Sequence, residues 1–232
     1  VCEKRHKYMD RCQDDEVCVC EMSQADAGQV MKILEIAEKD PAGWRKTTLQ
    51  ERHKIMYEAA NRLGEMRGDL IGCMCAITGK TVVEGDVEVS EGIDYARFYT
   101  TSMKLFADLP DVDITPEGTV LVISPWNFPC AIPIGGIVAA LAGGNTVILK
   151  PATVAAPVAW LFAQAFWDAG VPKEALQVII TDRDALKVLT SAPAIKHIIL
   201  TGGTDTAQNI ARSNPSTPLS AETGGKNAII LT

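Results

Sequence analysis

Up to residue 107 the apolar positions of the chain recur at helical spacing; after residue 118 they come as short continuous runs between helical stretches. Val30, Ile33, Leu34 and Ala37 give one apolar face to a helix that Ser23 caps, with Asp26 three residues on, and that Asp40-Pro41-Ala42-Gly43 ends. A longer helix is expected from Thr48 to Gly79, with Ile55, Met56, Ala59, Leu63, Met66, Leu70, Cys73 and Met74 along one side. Gly79-Lys80-Thr81 breaks it. The next run, over 82–106, places Val83, Val87, Ile93, Ala96, Tyr99 and Met103 on its apolar side. Glu84, Asp86, Glu88 and Glu91 read as its solvated acidic face. Ahead of these helices, Val1–Glu21 is charged and weakly patterned, an extended arm or a strand packed on another part.

Residues 107–118 hold Pro110, Pro116 and several acids, and read as a linker. Beyond them Val120-Leu121-Val122-Ile123 suits a strand buried on both faces. A helix over Pro133–Ala142 follows, Gly143-Gly144-Asn145 ends it, and Thr146–Leu149 is a second buried run. Strand, helix and strand at this spacing make one βαβ unit with a right-handed crossover. The alternation continues with helices over Ala156–Ala169, Asp182–Ser191 and Thr204–Arg212 and strands over Leu176–Ile180 and Ile195–Thr201. Leu219–Ala221 is a short approach strand, and Ala228–Leu231 a further apolar run. The expected fold is α/β: a doubly wound, mostly parallel Rossmann-like sheet with an N-terminal helical layer. Its parts are an arm and helical layer over residues 1–106, a linker over 107–118 and a dinucleotide-binding α/β region over 119–232.

Composition narrows the class only a little. A hydrophobic content of 47% with 22% charged residues is ordinary for a globular protein. No apolar run is long enough to span a bilayer, and the charged N-terminus lacks a signal peptide's apolar core, so no membrane partner is expected. A net charge of −7 would on average repel a phosphate backbone, which argues against a nucleic-acid partner. Seven cysteines, an odd number, suggest reduced thiols and a cytoplasmic setting. Cys12, Cys18 and Cys20 have poor spacing for zinc, and His6, His53 and His197 are scattered, so no metal site is expected.

Ligands of parallel sheets bind beyond the carboxyl ends of the strands. Two polar segments fall there: Pro125-Trp126-Asn127-Phe128-Pro129 and Lys150-Pro151-Ala152-Thr153. The Asn127 amide can donate to an oxygen that becomes negative when a carbonyl is attacked, or it can brace the turn between two prolines. Lys150 can hold ribose hydroxyls or a phosphate, or be the first solvated residue after its strand. Trp126 and Phe128 can wall a pocket or touch a ligand. Leu200-Thr201-Gly202-Gly203-Thr204 reads as strand, glycine turn and helix, whose backbone N–H groups can meet a pyrophosphate, although many βα turns contain glycines. Glu222, ahead of Gly224-Gly225, can act as a general base or lie on a surface loop.

PWNFP at 125–129, GNTVILKPA at 144–152 and AETGGKN at 221–227 together resemble the aldehyde dehydrogenase superfamily. The resemblance covers nearly the whole chain. Through EVSEGIDYARFY at 88–99 and AETGGKNAIIL at 221–231 it is most similar to the 1-pyrroline-5-carboxylate (glutamate γ-semialdehyde) dehydrogenases of proline catabolism, some of them fused to proline dehydrogenase. This likeness implies an NAD- or NADP-dependent oxidation of a small-molecule aldehyde by a homo-oligomeric enzyme. Asn127 would be the oxyanion donor, and Glu222 the base that activates water. Lys150 would hold the adenosine ribose, and Gly202, Gly203 and Thr204 would meet the phosphates. Ile123, Ser124, Pro125, Trp126, Ala152 and Thr153 complete the cofactor-binding set.

The family's nucleophilic cysteine lies well downstream of the Glu222 motif. The resemblance therefore implies that the chain is a fragment, inert alone in aldehyde oxidation. Thr153 stands where the family often has a glutamate, which makes room for a 2′-phosphate. Gly203 replaces a usual serine, and Ile180-Thr181-Asp182-Arg183-Asp184 replaces an expected proline- and glycine-rich loop. Two rivals follow: an acyl-phosphate reductase, which would lack the Glu222 motif, and an inert, cofactor-free domain kept for assembly.

Overall fold

The computed structural model describes residues 4–12 and 17–230. Cys2, residues 1–3 and 13–16 of the expected arm and the last residue of the 228–231 run lie outside that range. The arm is a two-stranded antiparallel hairpin, β1 (Arg5–Met9) and β2 (Cys18–Ser23), with Tyr8 opposite Cys20. Helix α1 (Ala27–Lys39) begins on Asp26, not Ser23: the Asp26 carboxylate accepts from the Gln29 amide, and the Gln29 side chain answers to the Asp26 backbone. Ser23 is spent as the last residue of β2.

The single helix expected from Thr48 is two, α2 (Leu49–Glu65) and α3 (Arg67–Thr78), divided at Met66 with φ −85° and ψ 7°. Gly64 and Gly68 flank the break and weaken the helix on both sides of it. A second correction concerns α4 (Val82–Ala107). Val83 and Val87 are 75% and 62% exposed, whereas Glu88, expected on the solvated side, is 1% exposed. The inward face is Gly85, Glu88, Val89, Gly92, Ile93 and Ala96. Small residues line it: a Cβ on Gly92 would stand 2.9 Å from Ile134 Cδ1, so a larger residue there would require the Ile134 side chain to shift.

Strands β3 (Thr119–Ile123), β4 (Thr146–Lys150), β5 (Leu176–Val178), β6 (Ile195–Gly202) and β7 (Leu219–Thr223) form one sheet in the order β5-β4-β3-β6-β7. Every neighbouring pair is parallel. Between them run α5 (Ala131–Ala142), α6 (Ala156–Asp168), α7 (Arg183–Thr190) and α8 (Thr204–Ser213). Alternate side chains of the strands feed two apolar layers, as a sheet buried on both faces requires. Val120, Val122, Val147 and Leu149 pack with α2 to α6, around Phe162 and Phe166. Leu121, Ile123, Ile148, Ile198 and Leu200 pack with α1, α7 and α8. The N-terminal helices thus divide between the faces. Residues 108–118 carry neither helix nor strand and lead into β3. No helix among the described residues is long and apolar enough to cross a membrane.

Candidate functional site

A cleft of about 670 Å³ opens at the carboxyl ends of β3, β4, β6 and β7. Five of the residues expected there follow β3 or end it: Ile123, Ser124, Pro125, Trp126 and Asn127. Lys150 and Ala152 enter from β4, Gly202 and Gly203 from β6, and Glu222 from β7. Two others do not line it. Thr153 turns away into an adjoining pocket that shares Lys150, and Thr204 is the exposed first residue of α8, where Thr206 lines the cleft instead. Ile132, Leu186 and Thr206 are cleft residues that the motif reading missed. They come from helices, one turn or more away from any strand end.

The two loops at the mouth are tied together. The Ser124 amide donates to Lys150 O at 3.3 Å and the Ala152 amide to Ser124 O at 3.0 Å. The Ser124 side chain is 5% exposed, and its hydroxyl oxygen has no hydrogen-bond partner. Lys150 Nζ donates to Pro151 O at 3.2 Å, and burial lowers the pKa of this ammonium below its ordinary value. Outside the cleft the hairpin supports the same loop: the Tyr8 hydroxyl donates to Thr153 O at 2.8 Å. Burial pushes the pKa of that phenol up to about 12, with the neighbouring Cys20 adding to it.

Asn127 is exposed, and it does not brace its turn with its side chain. Its backbone oxygen takes the contact, accepting from Lys80 Nζ at 2.6 Å. The side-chain amide has no partner among the described residues and is left to face the cleft. Gly203 caps α8 without a side-chain hydrogen bond, so first-turn N–H groups remain open. A Cβ on Gly203 would meet only Thr206 Oγ1, at 3.8 Å, so the turn has room for a bulky anion; Asp205 is the acid of that turn. Glu222 lies exposed on the edge strand, and its charge reaches Tyr95 of α4. The Tyr95 pKa stands at about 12, chiefly through its hydrogen bond to Glu91 at 2.8 Å. No described cysteine lines the cleft. Cys130, three residues past Asn127, is fully buried, and burial followed by the Glu88 charge raises its thiol pKa.

A parallel doubly wound sheet with a polar crevice at its carboxyl edge defines an α/β protein of the class that binds ligands beyond the strand ends. The sequence places the chain more narrowly: residues 2–232 match the aldehyde dehydrogenase family, and the chain belongs to it. It is 35% identical over 217 residues to the bifunctional protein PutA of Klebsiella aerogenes, covering 90% of this chain and 16% of that protein. It is 31% identical over 229 residues to the 1-pyrroline-5-carboxylate dehydrogenase of a Geobacillus species, covering 90% of this chain and 44% of that one. The structure of proline utilization A from Corynebacterium freiburgense superposes with a TM-score of 0.82 at 39% identity, over 87% of this chain and 21% of that one. The chain therefore spans less than half the length of each of these relatives.

Proposed function

We propose that the chain is the cofactor-binding part of an NAD(P)-dependent dehydrogenase that oxidises L-glutamate γ-semialdehyde to glutamate in proline catabolism. Similarity to 1-pyrroline-5-carboxylate dehydrogenase and PutA supports the substrate. The observation that carries the site is the meeting of Asn127, Lys150, Gly203 and Glu222 on one cleft. The residues fit a dinucleotide: the orphan Ser124 hydroxyl and the Lys150 ammonium suit ribose oxygens, and the open turn at Gly203 suits phosphate. The bound nicotinamide would supply the hydride acceptor. Asn127 donates to the aldehyde oxygen as negative charge develops on it, a contribution of about 3 kcal/mol at comparable sites. Glu222 takes a proton from the water that releases the acyl group. The nucleophilic thiol is not brought to the cleft by any described cysteine, so this chain alone binds nucleotide without oxidising aldehyde. The full-length enzyme is a cytoplasmic homo-oligomer in this reading, and the six described cysteines are free thiols, which suits a reducing compartment.

The adjoining pocket, about 350 Å³, bears on the choice of cofactor. Among the described residues Lys150 and Arg183 line it with Thr153 and Thr181, beside the carboxylate of Asp182. Asp182 is already engaged in capping α7, accepting from the amides of Asp184 at 3.1 Å and Ala185 at 2.9 Å. The Lys150 and Arg183 charges beside the Thr153 and Thr181 hydroxyls support a 2′-phosphate and hence NADP. Calorimetric titration of the folded chain with NAD, NADP and 2′,5′-ADP tests both parts. NADP should bind more tightly than NAD, and Arg183→Ala should remove that advantage. Absence of binding by either dinucleotide overturns the reading of the cleft.

A further inference from the structure

A buried charge pair lies beneath the loop that carries Asn127. Lys80, in the turn between α3 and α4, has a side chain 11% exposed, and the Glu88 side chain on α4 is 2% exposed. Lys80 Nζ and Glu88 Oε1 form an ion pair. Each partner also grips backbone or ring on the far side. Glu88 Oε2 accepts from the amides of Cys130 at 2.8 Å and Ala131 at 3.1 Å, which begin α5. Cys130 supplies no side-chain cap there, so the carboxylate of another helix does the capping. Lys80 Nζ donates to Asn127 O at 2.6 Å and stands 4.2 Å from the centroid of the Phe128 ring.

We propose that Lys80 and Glu88 are positioning residues of the cleft, which set where the Asn127 amide points by clamping the segment between β3 and α5 at Asn127 and at its α5 end. The proposal rests on Asn127 being the oxyanion donor. Two charges are costly to bury, and an apolar pair of similar volume would fill the same space with less penalty. What an apolar pair could not do is hold a carbonyl on one side and two amides on the other. The Asn127 side chain has no partner of its own among the described residues, so its aim follows from its backbone. An oxyanion donor is useful only when held where charge will develop.

Amide hydrogen exchange and ¹H–¹⁵N spectra of the folded chain test this. Lys80→Met should speed exchange over residues 127–131 by about tenfold or more and shift the Asn127 side-chain NH₂ resonances. Exchange in β3 and in the interior of α5 should stay unchanged. Lys80→Arg, which keeps a donor, should restore part of the protection. The double variant Lys80→Met/Glu88→Gln leaves no unpaired buried charge and keeps an acceptor for α5. It should leave Cys130 and Ala131 protected while the Asn127 resonances remain shifted. Unchanged exchange and unchanged Asn127 resonances in Lys80→Met would overturn the proposal, as would equal loss of protection throughout the chain. Nucleotide titration of the unmodified protein reads the cofactor assignment separately. Its failure would remove the enzyme reading and leave the clamp to be judged by the exchange data.

Discussion

At their amino ends β3 and β4 run into arginines; at their carboxyl ends they open on the cleft. The Thr119 and Thr146 hydroxyls, 3.1 Å apart, begin the two strands, and Arg45 Nη2 reaches Thr146 Oγ1 at 3.1 Å and the carbonyl of Ala37. Arg52, 7% exposed, donates from Nε to Ala142 O at 3.0 Å and from Nη1 to Thr47 O. These guanidinium groups close helix ends and strand starts with bonds to fixed backbone oxygens. At the opposite end the Ser124 hydroxyl and the Asn127 amide lack partners among the described residues, and Lys150 Nζ has one long bond, 3.2 Å, to its neighbour's carbonyl. The contrast teaches how to tell a structural cation from a binding one. A buried cation whose donors reach several backbone carbonyls stabilises the fold, whereas one left with a single long bond to its neighbour's carbonyl is held for something else.

The sharpest way to break that distinction is to remove one cation from each end. Arg52→Met should cost about 3 kcal/mol in urea unfolding, because two buried carbonyls lose charged donors. Nucleotide affinity of the molecules that remain folded should not change. A loss below about 1 kcal/mol would mean that the amino end is not sealed by this side chain. Lys150→Met should act in the reverse sense. Its affinity for nucleotide should fall about tenfold, or about 1.4 kcal/mol, while stability at neutral pH rises. The sign follows from burial. The folded-state pKa of Lys150 lies below its ordinary value of 10.5, so its charged form is penalised at neutral pH, and that penalty fades as pH rises toward 10.5. Loss of stability in this variant would place Lys150 with the sealing arginines.

A smaller effect tests the support of the open end from outside. Tyr8→Phe removes the hydrogen bond to Thr153 O and should cost about 1 kcal/mol in urea at pH 8. The Tyr8 pKa is raised from 10.0 to about 12, so the folded state keeps a proton that the unfolded chain gives up. That contribution is complete below pH 10 and lost as pH rises through about 12, so the gap between parent and variant should close over this range. The neighbouring Cys73, raised by burial from 9.0 to about 12, acts in the same direction from a lower pH. The parent should therefore begin to lose stability near pH 9, and Cys73→Ala should delay that loss.

Much of the sheet was legible because burial on both faces makes a strand an unbroken apolar run. Val120–Ile123, Thr146–Leu149 and Ile195–Thr201 fall within a residue of the strands observed. The place of the cleft followed from the same reading, since polar residues directly after such runs lie at the carboxyl edge. The face of α4 was legible only in part: Ile93 and Ala96 are buried as expected. Counting large apolar side chains chose Val83 and Val87, but the approach of Ile134 to Gly92 decides which side turns inward. Leu186 and Thr206 escaped for a related reason: they reach the cleft through the winding of the chain, and no strand-end motif contains them.

Local pattern was thus enough for the strands, the helices that alternate with them, and the family, because periodicity and short motifs are properties of consecutive residues. Folding in three dimensions settled the rest. A carboxylate such as Glu88 is tolerated inside only where an ammonium and two backbone amides converge on it, and those partners come from Lys80, Cys130 and Ala131. No window along the chain holds all of them. A buried charge depends on partners gathered from distant segments, whereas an apolar strand needs only to be kept from water.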